Sequence, residues 1–304
     1  MSQTIQFILA HDKSTLESAL GLDAGSARIE VQCLLQAVLQ VNRAYLLTHP
    51  EQTLDAEQQA HYTTLVERRL SGEPFAYILG EREFYGLMFR VTPATLIPRA
   101  DTELLVELAL QRIPQRGRVL DLGTGSGAIA LSIAHARPVI EVTAVDASQE
   151  ALDVARENAR RLLVQHESAH ISTGSMRTGS CETAVIANAR LLRSDWFAAL
   201  AGERFDLIIS NPPYIADGDA HLAQGDLRFE PRDALASGAD GLDDIRRIIA
   251  GAKEHLDAGG WLLFEHGYDQ AERVRELLGA AGYTEVFSAR DLAGIERVSG
   301  GRAC

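Results

Sequence analysis

Cysteine is scarce: Cys33, Cys181 and Cys304 are the only three in 304 residues, widely separated and forming no CxxC pair. That is too few for a disulfide framework and fits a reducing cytoplasm, with the thiols as structural or incidental groups. No stretch reaches the roughly 18 unbroken apolar residues that a membrane span needs. The opening residues 1–14 have no basic start ahead of their short apolar run, so neither membrane association nor a secretory leader is expected. Basic residues are outnumbered too, with 29 Lys and Arg against 42 Asp and Glu and a formal charge of −13. Such a chain repels polyanions on average, which argues against stable nucleic-acid binding through phosphate contacts. The one HExxH spacing among the nine histidines, 166–170, falls in a polar stretch rather than on an amphipathic helix, so no metal is expected, and His221 and His266 read as supporting or solvent-facing groups.

What is present is ample apolar content, 46% of the chain, and a length of about two domains at roughly 150 residues each. Residues 1–75 read as helical. Ser26 is placed to cap a helix carrying Leu34, Leu35, Val38 and Leu39, and Asp55 another carrying Tyr62, Leu65, Val66 and Leu70 before Gly72 and Pro74 stop it. Two aromatic and β-branched runs around Gly86 predict a hairpin at 82–91, within a linker spanning 76–97. From 98 to 304 the pattern alternates. Asp101 is placed to cap a helix, and strands are expected at 118–121, 140–146, 205–210 and 261–265, with helices at 149–163, 243–257 and 269–281. That alternation predicts an α/β fold with a mostly parallel sheet covered on both faces, whose ligands sit at the carboxyl ends of strands. One stretch, 166–187, is too rich in Ser, Gly and Thr to pack as part of such a sheet and is expected to be a mobile surface insertion before a strand near 189–192.

The first strand of this region ends at Asp121 and runs into Leu122, Gly123, Thr124, Gly125, Ser126 and Gly127. Glycines there let the backbone turn sharply and approach a ligand at a helix N-terminus. Asp146 ends the next strand, 19 residues after Gly127, where a carboxylate can accept from both ribose hydroxyls of an adenosine-containing ligand. Gly123, Gly125 and Ala128 also satisfy the dinucleotide fingerprint, but a pyrophosphate beside Asp121 would be repelled. S-adenosylmethionine, with a sulfonium, an ammonium and no phosphate, suits an acidic neighbour better. A glycine turn of purely structural purpose is the bland alternative.

A second motif, Asn211-Pro212-Pro213-Tyr214, follows the apolar strand 207–210. Alone it reads as a rigid turn, since two prolines fix φ and remove two donors. Downstream of a donor loop it has a chemical meaning. A planar NH2 on an sp2 carbon is a poor nucleophile with two hydrogens to hold. The Asn211 side-chain oxygen and the Pro212 carbonyl can accept them, and Tyr214 can stack on the planar group. This pattern selects adenine, cytosine or a glutamine amide without choosing among them.

With both motifs placed, the chain resembles the HemK family of peptide-chain release factor glutamine methyltransferases over nearly its whole length, excepting about 166–187. The resemblance also rests on 72–77, 80–84, 92–99 with 101–103, Ser194-Asp195-Trp196, Arg228 to Pro231, Glu265 to Gly267 and Glu296 to Val298. It implies a small helical domain that helps hold the release factor, joined by a hairpin to a Rossmann-like, seven-stranded methyltransferase domain. It implies the glutamine of the release factor's Gly-Gly-Gln motif as acceptor and S-adenosylmethionine as donor. Carried over, Asp121 and Gly123 to Gly127 hold the donor with Asp146, Trp196 and Asn211, while Asn211 to Tyr214 receive the glutamine. Without the resemblance Trp196 reads as a core aromatic. Ala100 stands where the family often has proline. Arg99, Glu103, Glu230 and Glu265 lie in these motifs, yet ion pairing or helix capping accounts for them equally well. Rival readings are a ribosomal-protein glutamine methyltransferase, a DNA adenine or cytosine amino-methyltransferase, and a non-catalytic donor-binding module.

Overall fold

The computed structural model describes residues 3–163 and 183–304. The chain divides into two compact units, 1–80 and 81–304.

The first unit is helical: α1 (Ile5–Leu20), α2 (Ala24–Leu39), α3 (Arg43–Thr48), α4 (Ala56–Leu70) and α5 (Phe75–Leu79). Its core gathers Ile5, Ile8, Leu16, Val31, Leu34, Leu35, Leu46, Tyr62 and Leu65. Asp55 caps α4 through a reciprocal capping box with Gln58. Asp23, not Ser26, caps α2. Its carboxylate accepts from the amides of Gly25 and Ser26 and from the Ser26 hydroxyl, satisfying more donors than a serine oxygen could.

The second unit opens with a hairpin of β1 (Glu81–Phe84) and β2 (Leu87–Arg90). Residues read in sequence as one linker thus divide: α5 belongs to the helical unit, and Phe84 and Phe89 bury their rings edge to face in the core of the second. Asp101 caps nothing; it lies in a 3-10 turn, Ala100–Thr102, that leads into α6 (Glu103–Arg112) without a side-chain cap. There follow β3 (Arg118–Leu122), α7 (Ala128–Ala136), β4 (Glu141–Asp146), α8 (Gln149–Leu163), β5 (Thr183–Ile186), β6 (Ala189–Arg193), β7 (Phe205–Ser210), α9 (Asp243–His255), β8 (Leu256–Glu265), α10 (Ala271–Ala280), β9 (Thr284–Arg290) and β10 (Glu296–Arg302).

The sheet has eight strands in the order β5-β6-β4-β3-β7-β8-β10-β9. Strands β6, β4, β3, β7 and β8 are parallel, and β5, β10 and β9 add antiparallel edges. This is the Rossmann-like α/β architecture expected, with one strand more than seven. The extra strand is β5, which falls within the stretch read as an insertion; residues 166–182 of that stretch lie outside the described residues. Residues 183–186 pair with β6 because Ala187 adopts φ 53° in the tight turn and the Asn188 amide donates to the carbonyls of Ala134, Arg137 and Ile140.

Side chains alternate across the parallel strands, so two cores form. Val119, Leu207, Ile209 and Leu263 face α6, α7 and α8, while Leu120, Ile208, Leu262 and Phe264 face α9 and α10. Strand order reverses at β3, which has β4 on one side and β7 on the other. The crevice at their carboxyl ends is where such sheets bind ligands. No helix among the described residues is long and apolar enough to cross a membrane.

Candidate active site

The glycine loop is stitched to the neighbouring strand at once: the amides of Gly123 and Thr124 both donate to Val145 O at 2.9 Å. Gly123, Gly125 and Gly127 all have positive φ, and Gly127 caps the start of α7. A Cβ at Gly127 would stand 2.8 Å from the Leu131 side chain, so both conformation and space require glycine. Gly125 donates to Asp146 Oδ2 and Ser148 to Asp146 Oδ1, each at 2.8 Å. A carboxylate offers about four acceptor positions, so each oxygen keeps one for a ligand hydroxyl. Burial raises the Asp146 pKa, against the backbone amides of Ser148, Gly125 and Ala147, which lower it.

Asp121 takes a different position from the one read in sequence. Pleating puts it on the face of Val119, fully buried, where Oδ2 accepts the Thr124 hydroxyl at 2.7 Å and Oδ1 has no partner. Burial pushes its pKa up to about 7. It supports the loop from below.

A cavity of about 640 Å³ opens over this loop, within the usual range of roughly 300–1,000 Å³ for small-molecule sites. Its wall brings together Gly123 to Ser126, Asp146, Trp196, Asn211 and Pro213 of the expected set; Asp121, Gly127, Pro212 and Tyr214 stand outside it. The Trp196 ring lies over Gly123, 3.6 Å from where a Cβ would be. Trp196 itself has φ 48°, an unusual conformation for a bulky residue, and Ser194 braces it: its hydroxyl donates to Trp196 O at 2.7 Å and accepts from the Ala199 amide.

At the end of β7, the Asn211 amide nitrogen donates to Thr102 Oγ1 at 3.3 Å. The Tyr214 hydroxyl donates to Glu265 Oε1 at 3.1 Å, its carbonyl accepts from Gln270, and its ring packs on the α9–α10 core. Burial raises the Glu265 pKa, and the hydrogen bonds of the Thr102 and Tyr214 hydroxyls oppose the rise. Burial and the Glu265 charge raise that of Tyr214.

These surfaces suit S-adenosylmethionine. The two lining arginines are already committed, Arg99 to Glu230 and Arg247 to Asp195 and Asp244, which leaves a pyrophosphate without either cation. Of the lining carboxylates, Asp195 and Asp244 share Arg247, while Asp146 and Asp233 add negative charge favourable to a cationic ligand.

Residues 9–80 match the family described as PrmC N-terminal domain, and 99–188 the one described as Methyltransferase small domain. Curated relatives called release factor glutamine methyltransferase are similar along almost the entire chain. That of Bordetella pertussis (strain Tohama I) is 51% identical over 94% of this chain and 99% of its own length. That of Vibrio cholerae (serotype O1) is 45% identical over 99% and 98%. The chain belongs to the release factor glutamine methyltransferase family. Among solved structures, the catalytic domain of hMettl16 in complex with the MAT2A 3'UTR hairpin 6 superposes with a TM-score of 0.53 at 14% identity. The match covers 83% of this chain and 84% of that one, a likeness of fold alone.

Within this release factor glutamine methyltransferase family member, the residues left open by sequence find partners. Arg99 pairs with buried Glu230, and Glu103 accepts the Tyr85 amide. His266 is buried between Gly267 O and Ser299 Oγ, and His221 is exposed beside Asp219. Two residues carry connections that the sequence reading did not single out, Thr102 and Asn158. The buried Asn158 amide binds both the amide and the carbonyl of Arg90 and the Ser126 carbonyl of the glycine loop. A lone asparagine on an otherwise apolar helix face was the available signal.

Proposed function

We propose that this protein transfers a methyl group from S-adenosylmethionine to the side-chain amide nitrogen of the glutamine in the Gly-Gly-Gln motif of peptide-chain release factors, in the cytoplasm. What supports the reading is that one cavity is walled both by the glycine loop with Asp146 and by the Asn211-Pro213 turn.

S-adenosylmethionine, when bound, supplies an electrophilic methyl carbon on a sulfonium. Gly123 to Gly127 cradle it, Asp146 accepts from the ribose hydroxyls, Trp196 covers the adenine, and Asp121 keeps the loop in shape from beneath. Asn211 directs its amide oxygen, and Pro212 its carbonyl, at the two hydrogens of the acceptor amide. Tyr214, outside the cavity wall, frames the turn from behind through Glu265 and Gln270. These acceptors hold the nitrogen in line with the methyl carbon and favour the positive charge that grows on it. Holding two reactants in this way is worth up to roughly 7–11 kcal/mol in well-oriented model systems. The nitrogen–carbon bond would form as the sulfonium carbon–sulfur bond breaks, S-adenosylhomocysteine would be the leaving group, and the amide proton would pass to water or a nearby acceptor as the methyl transfers or after it.

Labelled S-adenosylmethionine, incubated with the protein and separately with release factor, ribosomal protein and duplex DNA, tests the reaction. Label is expected on the release factor and is expected to vanish when its Gly-Gly-Gln glutamine is replaced. Label confined to DNA or ribosomal protein would overturn the assignment. Asn211→Ala is expected to lower turnover by about 100-fold or more while donor affinity stays largely intact. Near-normal turnover in that variant would remove Asn211 from its role.

A further inference from the structure

Two of the four residues in the Asn211-Pro212-Pro213-Tyr214 turn are prolines, which have no N–H, so the turn has few backbone donors with which to fix itself. Its anchors come from elsewhere. The amides of Tyr214 and Ile215 both donate to Leu235 O, at 3.2 and 2.9 Å, and the Tyr214 carbonyl accepts from Gln270 Nε2 at 2.9 Å. Gln270 is buried, 7% exposed, directly before α10, and its side chain joins three loops. Oε1 accepts from the Gly267 amide at 2.8 Å just past β8, and Nε2 also reaches Gly241 O at 3.4 Å just ahead of α9.

The orientation of this side-chain amide is fixed by its partners. A backbone N–H only donates and a carbonyl only accepts, so turning the side chain over would set NH2 against an N–H and oxygen against two carbonyls. Gly241 confines the same Tyr214 carbonyl: it has φ 73°, and a Cβ there would stand 2.3 Å from Tyr214 O. Gln270, Gly241 and Tyr214 all lie outside the cavity wall, whereas Asn211 and Pro213 line it. Prolines lock φ at about −65°, so the segment between is stiff, and a displacement at the Tyr214 carbonyl is passed on to the Asn211 side chain and the Pro212 carbonyl.

We propose that Gln270 is a positioning residue for methyl transfer, whose buried amide, with Gly241 packed beside it, fixes the acceptor turn at its Tyr214 end and so places the oxygens of Asn211 and Pro212. This rests on the reading of that turn as the one that holds the glutamine amide. Gln270 acts through the turn, from outside the cavity.

Steady-state kinetics and donor calorimetry on the full chain test the proposal. Gln270→Met nearly keeps the length of the side chain and removes its donor. It is expected to lower kcat by about 10- to 100-fold, the scale of a reacting group misplaced by about 1 Å, with KM for release factor and the donor Kd within about threefold of wild type. Gly241→Ala keeps every hydrogen-bonding group and presses a methyl group on Tyr214 O. It is expected to show the same split, and it supplies the answer if Gln270→Met does not fold. In an Asn211→Ala background either change is expected to cost no more than about threefold further, because the side chain that the turn aims is gone. Wild-type kcat in Gln270→Met, a loss matched by equally weakened donor binding, or an undiminished penalty in the Asn211→Ala background would overturn the positioning role. Absence of label on the glutamine with the wild-type protein would instead overturn the assigned reaction.

Discussion

Asp121 shows how one carboxylate can be essential to a loop and still work against the fold. It sits at the last-but-one position of β3, where pleating turns it under α7, and burial raises its pKa from 3.8 to about 7. Between those values the native state holds a proton that the unfolded chain has released. Its contribution to stability therefore falls as pH rises from about 4 to about 7 and stays at its lowest above that. Asn at this position is nearly isosteric and does not titrate. Asp121→Asn is thus expected to match the wild type at about pH 4 and to exceed it by up to a few kcal/mol at about pH 8, read from urea unfolding at both. A difference that does not change with pH would mean that Asp121 is not the titrating group. The residue type and its place before the glycines were legible in the sequence. That it supports the loop rather than lining the cavity depends on which face of β3 meets α7, and that emerges only when both cores are assembled. Asp146 was easier, since a strand tip 19 residues beyond the last loop glycine has few other places to go. Trp196 needed the resemblance, because its left-handed backbone and the Ser194 brace leave no mark in local pattern.

Among the elements, the β1–β2 hairpin and the glycine loop are bound through a single amide on α8. Asn158 is fully buried and spans the two, using its oxygen for the Arg90 amide and its nitrogen for the carbonyls of Arg90 and Ser126. Asn158→Ala leaves those three backbone groups without this partner, and stranded buried polar groups cost about 1–3 kcal/mol each when water cannot reach them. The variant is expected to unfold at a lower urea midpoint and, because the loop carbonyl is released, to bind S-adenosylmethionine several-fold more weakly by calorimetry. Unchanged donor affinity in a destabilised protein would confine Asn158 to the hairpin. Helices and central strands announced themselves by period: α8 fills the residues expected of it, and β7 does the same. The edges did not. Strand β5 is four residues long and adjoins a run of polar residues, so its signal is weaker than the composition around it. Edge strand β9 has no fully buried residue, and β10, flanked by β8 and β9, has glycine at two of its four buried positions. An edge strand is specified by its partner's free hydrogen bonds more than by its own sequence, which is why such elements escape a reading that starts from periodicity.

For the whole molecule the governing facts are separate cores in the two units and an excess of acid. The helical unit buries Ile5 to Ile78 among themselves, and the clusters of the methyltransferase unit draw only on residues from Phe84 onward. Composition could forecast two domains, but the division at Gly80 follows from where the hairpin rings are buried. Acidic residues outnumber basic ones in both units, within a total charge of −13. The acceptor loop belongs to a folded protein far larger than the glutamine itself, so its approach is governed by charges well outside the cavity. A partner that docks efficiently on this surface is expected to present a basic face around its Gly-Gly-Gln loop, and the encounter is then accelerated by long-range attraction. Exposed charges are screened beyond a Debye length, about 10 Å at 0.1 M salt and shorter above it. Raising salt from about 50 to about 300 mM is therefore expected to lower kcat/KM for intact release factor several-fold, while kcat at saturating release factor changes little. A short Gly-Gly-Gln peptide without the basic surroundings is expected to show almost no such dependence. If intact factor and peptide respond to salt alike, the acid excess serves solubility and has no part in recruiting the substrate.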